Sequence, residues 1–111
     1  MSTVADYELK AKELISSNKF FQLIANWCPD CQYTNSILTK FDVLQRFKTL
    51  DIGDLPKDEQ ETWRVAFKNV TGSRNLPTIF IDGRIWATET EIHNCEDGNV
   101  LPAKFKEAGL L

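Results

Sequence analysis

Trp27-Cys28-Pro29-Asp30-Cys31 stands directly after the apolar run Phe20-Phe21-Gln22-Leu23-Ile24-Ala25, and this junction constrains the fold more than any other stretch of the chain. A short apolar run bounded by polar residues reads as a buried strand. Proline is at home in the first turn of a helix, where its missing N–H has no partner to lose. A strand, a tight turn and a helix opening at Pro29 therefore put Cys28 at a helix N-terminus, where free N–H groups and the helix dipole favour a thiolate. Cys31 follows one helical turn later. Its thiol can displace whatever Cys28 has captured, closing an internal disulfide. The same spacing also suits half of a zinc site or two buried structural thiols, but the strand and helix flanks favour dithiol chemistry.

The remaining periodicity supplies the frame. Tyr7, Ala11, Leu14 and Ile15 recur at helical spacing from Val4 to Ser17, with Thr3 as a cap. Tyr33, Ile37, Leu38, Phe41 and Leu44 mark the inner stripe of the helix that starts at Pro29. A second strand is expected near Phe47 to Ile52, then a helix signalled by Asp54, Pro56, Asp58 and Glu59, with Trp63, Ala66, Phe67 and Val70 inward and Thr71-Gly72 at its end. Thr78 to Ile81 and Arg84 to Ala87 flank Asp82-Gly83, a strong hairpin signal. Thr88 with Glu91 predicts a capping box, and Pro102 and Gly109 bracket a last helix. This order predicts one α/β domain over residues 1–111, with a thioredoxin-type fold: a mixed four-stranded sheet flanked by helices.

Charge and cysteine usage narrow the function. The net charge is −3 and the basic residues are interspersed with acidic ones, which argues against nucleic acid or an anionic membrane as partner. The N-terminus Met1-Ser2-Thr3-Val4-Ala5-Asp6-Tyr7-Glu8 has neither the basic start nor the apolar stretch of a secretory leader, so a reducing cytosol is the expected compartment. Three cysteines do not make a disulfide scaffold. Leu76-Pro77-Thr78 puts a proline at a strand start 49 residues after Cys28. A cis bond there would turn the Leu76 backbone outward to pair with an extended cysteine-containing peptide, whereas a trans proline would be an ordinary strand start.

With these motifs the chain resembles a dithiol glutaredoxin over nearly its whole length, in a divergent fungal form. The resemblance rests on Trp-Cys-Pro-Asp-Cys together with Ser73-Arg74-Asn75-Leu76-Pro77-Thr78-Ile79 and Asp51-Ile52-Gly53. It implies that Cys28 is the nucleophile, Cys31 the resolving thiol, and Leu76-Pro77 the site that aligns the cysteine of glutathione. Arg64 and Arg74 fall where glutaredoxins hold the glycine carboxylate, the alternative being a solvated surface charge. Thr90 and Glu91 stand at a helix N-terminus able to receive the γ-glutamyl carboxylate. The family uses glutathione as a reducing co-substrate with no tightly bound cofactor. It acts on disulfide-bearing small molecules or proteins, and a monomer is expected.

Several positions depart from the family pattern. Ala87-Thr88 replaces the usual Gly-Gly after the hairpin, where the backbone must approach the γ-glutamyl end closely. Ala25 replaces a lysine three residues before the nucleophile, and Trp27 is thioredoxin-like, either an apolar platform for protein disulfides or a residue packed over the helix start. Gln22 stands where thioredoxins bury an aspartate, which disfavours a full thioredoxin. Asp30 could take a proton from Cys31 or could simply be a first-turn acid. A metal set of Cys28, Cys31, His93 and Cys95 is disfavoured, because residues two apart on a helix diverge. The expected activity is thus glutathione-dependent thiol–disulfide exchange. A thioredoxin-related reductase recharged by a flavoprotein, or a non-catalytic redox sensor, are the alternatives.

Overall fold

The computed structural model describes residues 3–111. Met1 and Ser2, the start of the stretch read as lacking leader character, lie outside the described residues. Thr3 caps the first helix, α1 (Val4–Ser17), by exchanging hydrogen bonds with Asp6. Strand β1 (Phe20–Ile24) runs parallel to β2 (Lys48–Asp51) and antiparallel to β3 (Thr78–Ile81), which pairs antiparallel with β4 (Arg84–Thr88), giving the order β2-β1-β3-β4. Asp82 and Gly83 both take positive φ, 53° and 80°, as the tight turn between β3 and β4 requires. The register shifts between Ile79 and Phe80, bulging the ladder of the last two strands.

Because β1 and β3 are central, their alternate side chains feed two cores. Phe21, Leu23 and Phe80 pack with Ala11 and Ile15 of α1 and with Trp63 and Phe67 of α3 (Lys57–Thr71). Phe20, Ile79 and Ile81 face α2 (Pro29–Lys40), α4 (Glu89–Asp97) and α5 (Leu101–Glu107) through Ile37, Leu38, Ile92, Leu101 and Phe105. Burying one such aromatic or aliphatic side chain is worth about 1.5–3 kcal/mol. Among the described residues, no helix is long and apolar enough to cross a membrane.

Several elements depart from expectation in their bounds, among them β1, which ends at Ile24 rather than Ala25, and β4, which runs on to Thr88 rather than stopping at Ala87. The α2 helix ends at Lys40 rather than running on to Leu44, because Asp42 adopts the left-handed region at φ 59° and Leu44 begins a separate 3-10 turn, Leu44–Arg46. Phe41 and Leu44 still pack against the second core, so the apolar stripe outlasts the helix. Pro56 caps α3 from outside, and Asp54 belongs to the preceding turn. β2 is one residue shorter at each end than the expected Phe47–Ile52 run.

Candidate active site

The turn between β1 and α2 is strapped to the segment that follows β2. Asn26 donates its backbone N–H to Asp51 Oδ1 at 3.0 Å and its side-chain amide to Asp54 Oδ1 at 3.0 Å, while its carbonyl accepts from Gln32 Nε2 at 2.9 Å. Trp27 Nε1 donates to Gln60 Oε1 at 3.1 Å, and Gln60 Nε2 in turn donates to the Leu55 carbonyl at 2.8 Å. Gly53 allows this close approach: a Cβ there would lie 2.6 Å from the Asn26 backbone nitrogen. The Asp51-Ile52-Gly53 run therefore serves to hold the turn that presents Cys28.

Cys28 itself is the N-cap of α2, with Pro29 as first helical residue and no side chain capping the first-turn N–H groups. Cys28 thus stands at the positive end of a twelve-residue helix whose first-turn N–H groups have no side-chain partner. The Cys28 thiol lies 3.5 Å from the Leu76 carbonyl, to which it donates. Cys28 is 8 % exposed and Cys31 only 1 %, and both are free. Burial pushes the Cys31 thiol up to about 12, against a hydrogen bond from the Ala25 backbone that pulls it down; the Cys28 thiol and the Asp30 carboxylate add to the rise. Cys31 thus holds its proton in the reduced state.

An open cleft of about 370 Å³ lies beside Cys28. Trp27 and Asp30 border it on the dithiol side, Asn75, Leu76 and Pro77 face them, and Arg64, Thr88, Glu89 and Thr90 complete the wall. The Leu76–Pro77 peptide is cis. Of the residues expected to contact glutathione, Arg64, Leu76, Pro77 and Thr90 meet Cys28 in this cleft. Arg74 and Glu91 do not line it. Arg74 is drawn to Glu61 on α3 by two 2.8 Å contacts, and its carbonyl fixes Arg64 by accepting from Nε at 3.2 Å and Nη2 at 3.1 Å. Glu91 reaches back to Thr88, accepting from the backbone N–H at 2.9 Å and the hydroxyl at 2.6 Å; the hydroxyl contact first of all holds its carboxyl below the ordinary glutamate range. Ala87 is buried in β4, so the residue that replaces the first glycine points into the core.

Glu89, Asn75 and Gln60 were not assigned to the site from sequence. Glu89 had a legible signal, since it stands four residues before His93 on one helix, and His93 Nε2 lies 2.7 Å from its carboxylate. His93 also stacks on Tyr33, their ring centroids 3.8 Å apart, and Tyr33 donates to Glu96 at 2.6 Å, which ties α4 to α2. Trp27 is 51 % exposed, a tethered platform rather than a packed cap. Gln22 is buried and donates to Thr49 Oγ1 at 3.0 Å, so the place of the buried thioredoxin acid is taken by an amide. Cys95 packs half-buried against the second core.

The Glutaredoxin family profile matches residues 10–86. The chain belongs to the glutaredoxin family. It is 50 % identical over 102 residues to Glutaredoxin-8 of Saccharomyces cerevisiae, covering 92 % of this chain and 94 % of the yeast protein. The solution structure of that yeast dithiol glutaredoxin superposes with a TM-score of 0.88 at 48 % identity, covering 96 % of this chain and 98 % of the yeast chain. A buckwheat glutaredoxin–glutathione complex shares the fold at a TM-score of 0.74 and 20 % identity, covering 97 % of this chain and 94 % of the other. This glutaredoxin is accordingly a thiol–disulfide oxidoreductase with the thioredoxin-type sheet and helices.

Proposed function

We propose that this glutaredoxin reduces disulfides and glutathione mixed disulfides through Cys28 and Cys31, and that glutathione returns the electrons. The placement of Cys28 carries the reading: a sulfur at a helix N-terminus, opening on a cleft, with a deeply buried partner thiol one turn behind. In the first step the Cys28 thiolate attacks one sulfur of the substrate. A Cys28–substrate disulfide forms, the substrate S–S bond breaks, and the departing thiolate takes a proton from solvent. Cys31 then gives up its proton and attacks Cys28 Sγ, releasing the second thiol and leaving a Cys28–Cys31 disulfide. Two electrons pass from the dithiol to the substrate. Two molecules of glutathione restore the pair by the same exchange and leave as glutathione disulfide.

Glutathione is held in this reading by Leu76 and Pro77 beside its cysteine, by Arg64 at one carboxylate and by the first turn of α4 at Thr90 for the other. Arg74 and Glu91 position these groups, Arg74 through its carbonyl on Arg64 and Glu91 through its hold on Thr88. The buckwheat relative, which has the same fold, is known in complex with glutathione, and this supports the assignment. The protein works as a monomer in the cytosol, over the single domain 1–111, without a bound cofactor, metal, nucleic acid or membrane. Reduction of the purified oxidised protein by glutathione, compared with reduction by NADPH and thioredoxin reductase, tests the electron source. Reduction by the flavoprotein alone would overturn it.

A further inference from the structure

We infer that Ser73 and Thr78, which touch no substrate in the reading above, are positioning residues that set how tightly a glutathione carboxylate is held. The inference rests on that reading, in which Arg64 meets the carboxylate, and adds what aims Arg64. Its guanidinium donates Nε and Nη2 to the Arg74 carbonyl, at 3.2 Å and 3.1 Å. A neutral carbonyl leaves the positive charge uncancelled, and Nη1 has no partner among the described residues. Where the guanidinium points therefore depends on one peptide group, the unit between Arg74 and Asn75.

Two hydroxyls fix that peptide group. The Asn75 N–H, on the opposite edge of the same planar unit as the Arg74 carbonyl, donates to Ser73 Oγ at 3.2 Å. The Asn75 carbonyl accepts from Thr78 Oγ1 at 2.7 Å. A hydroxyl carries one proton, so in the 3.2 Å contact between Ser73 Oγ and Thr78 Oγ1 the serine is the donor. The three bonds close a ring: Ser73 to Thr78, Thr78 to the Asn75 carbonyl, and the Asn75 N–H back to Ser73. Thr78 is wholly buried at the start of β3, and the Ser73 N–H donates to Thr71 Oγ1 at 3.2 Å, so the ring is anchored in the fold. The Arg74 side chain is held separately, by Glu61, in a half-exposed pair. The carbonyl thus keeps its aim whether or not that pair is formed. A ring that only stiffened the loop would act on every substrate, since Leu76, whose carbonyl meets Cys28, follows directly. One that aims Arg64 acts on substrates that carry a carboxylate.

The test measures KM and kcat for a glutathionylated peptide in Ser73→Ala, Thr78→Val and Arg64→Ala. Beside it, each pre-reduced protein is oxidised in single turnover by hydroxyethyl disulfide, a neutral substrate. Ser73→Ala and Thr78→Val should each raise KM about threefold, the scale of one neutral hydrogen bond, with kcat and the neutral-disulfide rate within about twofold of wild type. Thr78→Ser, which keeps the hydroxyl, should keep the wild-type KM. Adding Ser73→Ala to Arg64→Ala should give no further rise, because the one residue acts through the other. Should Thr78→Val not fold, Ser73→Ala, at a half-buried loop position, decides alone. Effects that multiply in the double variant, or equal slowing on the neutral disulfide, would overturn the aiming role. Unchanged KM in the hydroxyl variants, with KM raised in Arg64→Ala, would overturn it too and leave the glutathione reading standing. An unchanged KM in Arg64→Ala would overturn both.

Discussion

The two walls of the cleft are built by different physics. On the dithiol side, Asn26, Asp51, Asp54 and Gln60 fix the turn by directed hydrogen bonds, and Gly53 is there because a side chain would not fit. On the facing side, a half-exposed Arg74–Glu61 ion pair sets the place of Arg74, whose carbonyl in turn holds Arg64, and His93 meets the Glu89 carboxylate. Hydrogen-bonded packing has one solution and resists change. Exposed charge pairs are each worth only about 0–1 kcal/mol and can exchange partners. The nucleophile is thus held by the rigid wall, while Arg64, the residue proposed to meet a glutathione carboxylate, stands on the adjustable one.

The largest expected effects lie on the rigid wall. Cys28→Ser should abolish all thiol–disulfide exchange, whereas Cys31→Ser should keep deglutathionylation and lose protein-disulfide reduction, since only the latter needs a resolving thiol. Paired assays on a glutathionylated peptide and on insulin distinguish the two. Loss of both activities in Cys31→Ser would place the protein with thioredoxin-like reductases. Gly53→Ala comes next. Its Cβ would collide with Asn26, so unfolding in urea should show a loss of about 1–3 kcal/mol, as expected for overpacking. A variant as stable as wild type would show that the turn can shift, against the contrast drawn here.

On the adjustable wall, Arg64→Ala should raise KM for glutathione substrates at least about tenfold, the lower end of what one well-made charge-assisted hydrogen bond of about 1.5–3 kcal/mol supplies. Steady-state kinetics on a glutathionylated peptide measure it. An unchanged KM would remove Arg64 from glutathione binding.

Much of this division was legible in the sequence, and the part that was not has identifiable causes. The strand, Pro29 and the Cys pair specify the rigid wall locally, and Asp82-Gly83 and the helix caps are equally local. The end of α2 was not legible, because Phe41 and Leu44 continue the apolar period after the left-handed Asp42 has broken the helix. Asp54 carries the composition of a helix start, yet its carboxylate is used by Asn26, 28 residues away. Arg64 and Arg74 look alike in sequence. Which of them lines the cleft depends on Glu61, a tertiary pairing that spacing does not report.

Cys31 gives a smaller effect, and its sign follows from linkage. Burial raises its folded pKa to about 12, above the unfolded value near 9, so the folded state binds the proton more tightly. The resulting stability is complete below about pH 9 and is lost as pH rises from there towards 12. Between pH 8 and 10 the reduced protein should lose about 1 kcal/mol in urea unfolding, and Cys31→Ala should flatten that loss. Tyr7 and Tyr33 are also raised and add to the loss at the upper end, so the Cys31 part is read as the difference between the two proteins. An identical slope in both would mean that Cys31 titrates as an ordinary thiol.

The smallest expected effect tests the adjustability itself. Glu61 holds Arg74 outside the cleft through a pair whose side chains are 54 % and 40 % exposed, a contact too weak and too solvated to matter for stability. Glu61→Gln should therefore leave the urea midpoint nearly unchanged. It frees a guanidinium on the loop that leads to Leu76-Pro77, adding positive charge beside the glutathione carboxylate. KM for glutathione substrates should fall about twofold, by less in high salt, and the double variant Glu61→Gln, Arg74→Ala should lose the gain. If KM rises instead, the Glu61 pair is holding Arg64 in register through the Arg74 carbonyl, and the charged wall is as fixed as the one that carries Cys28.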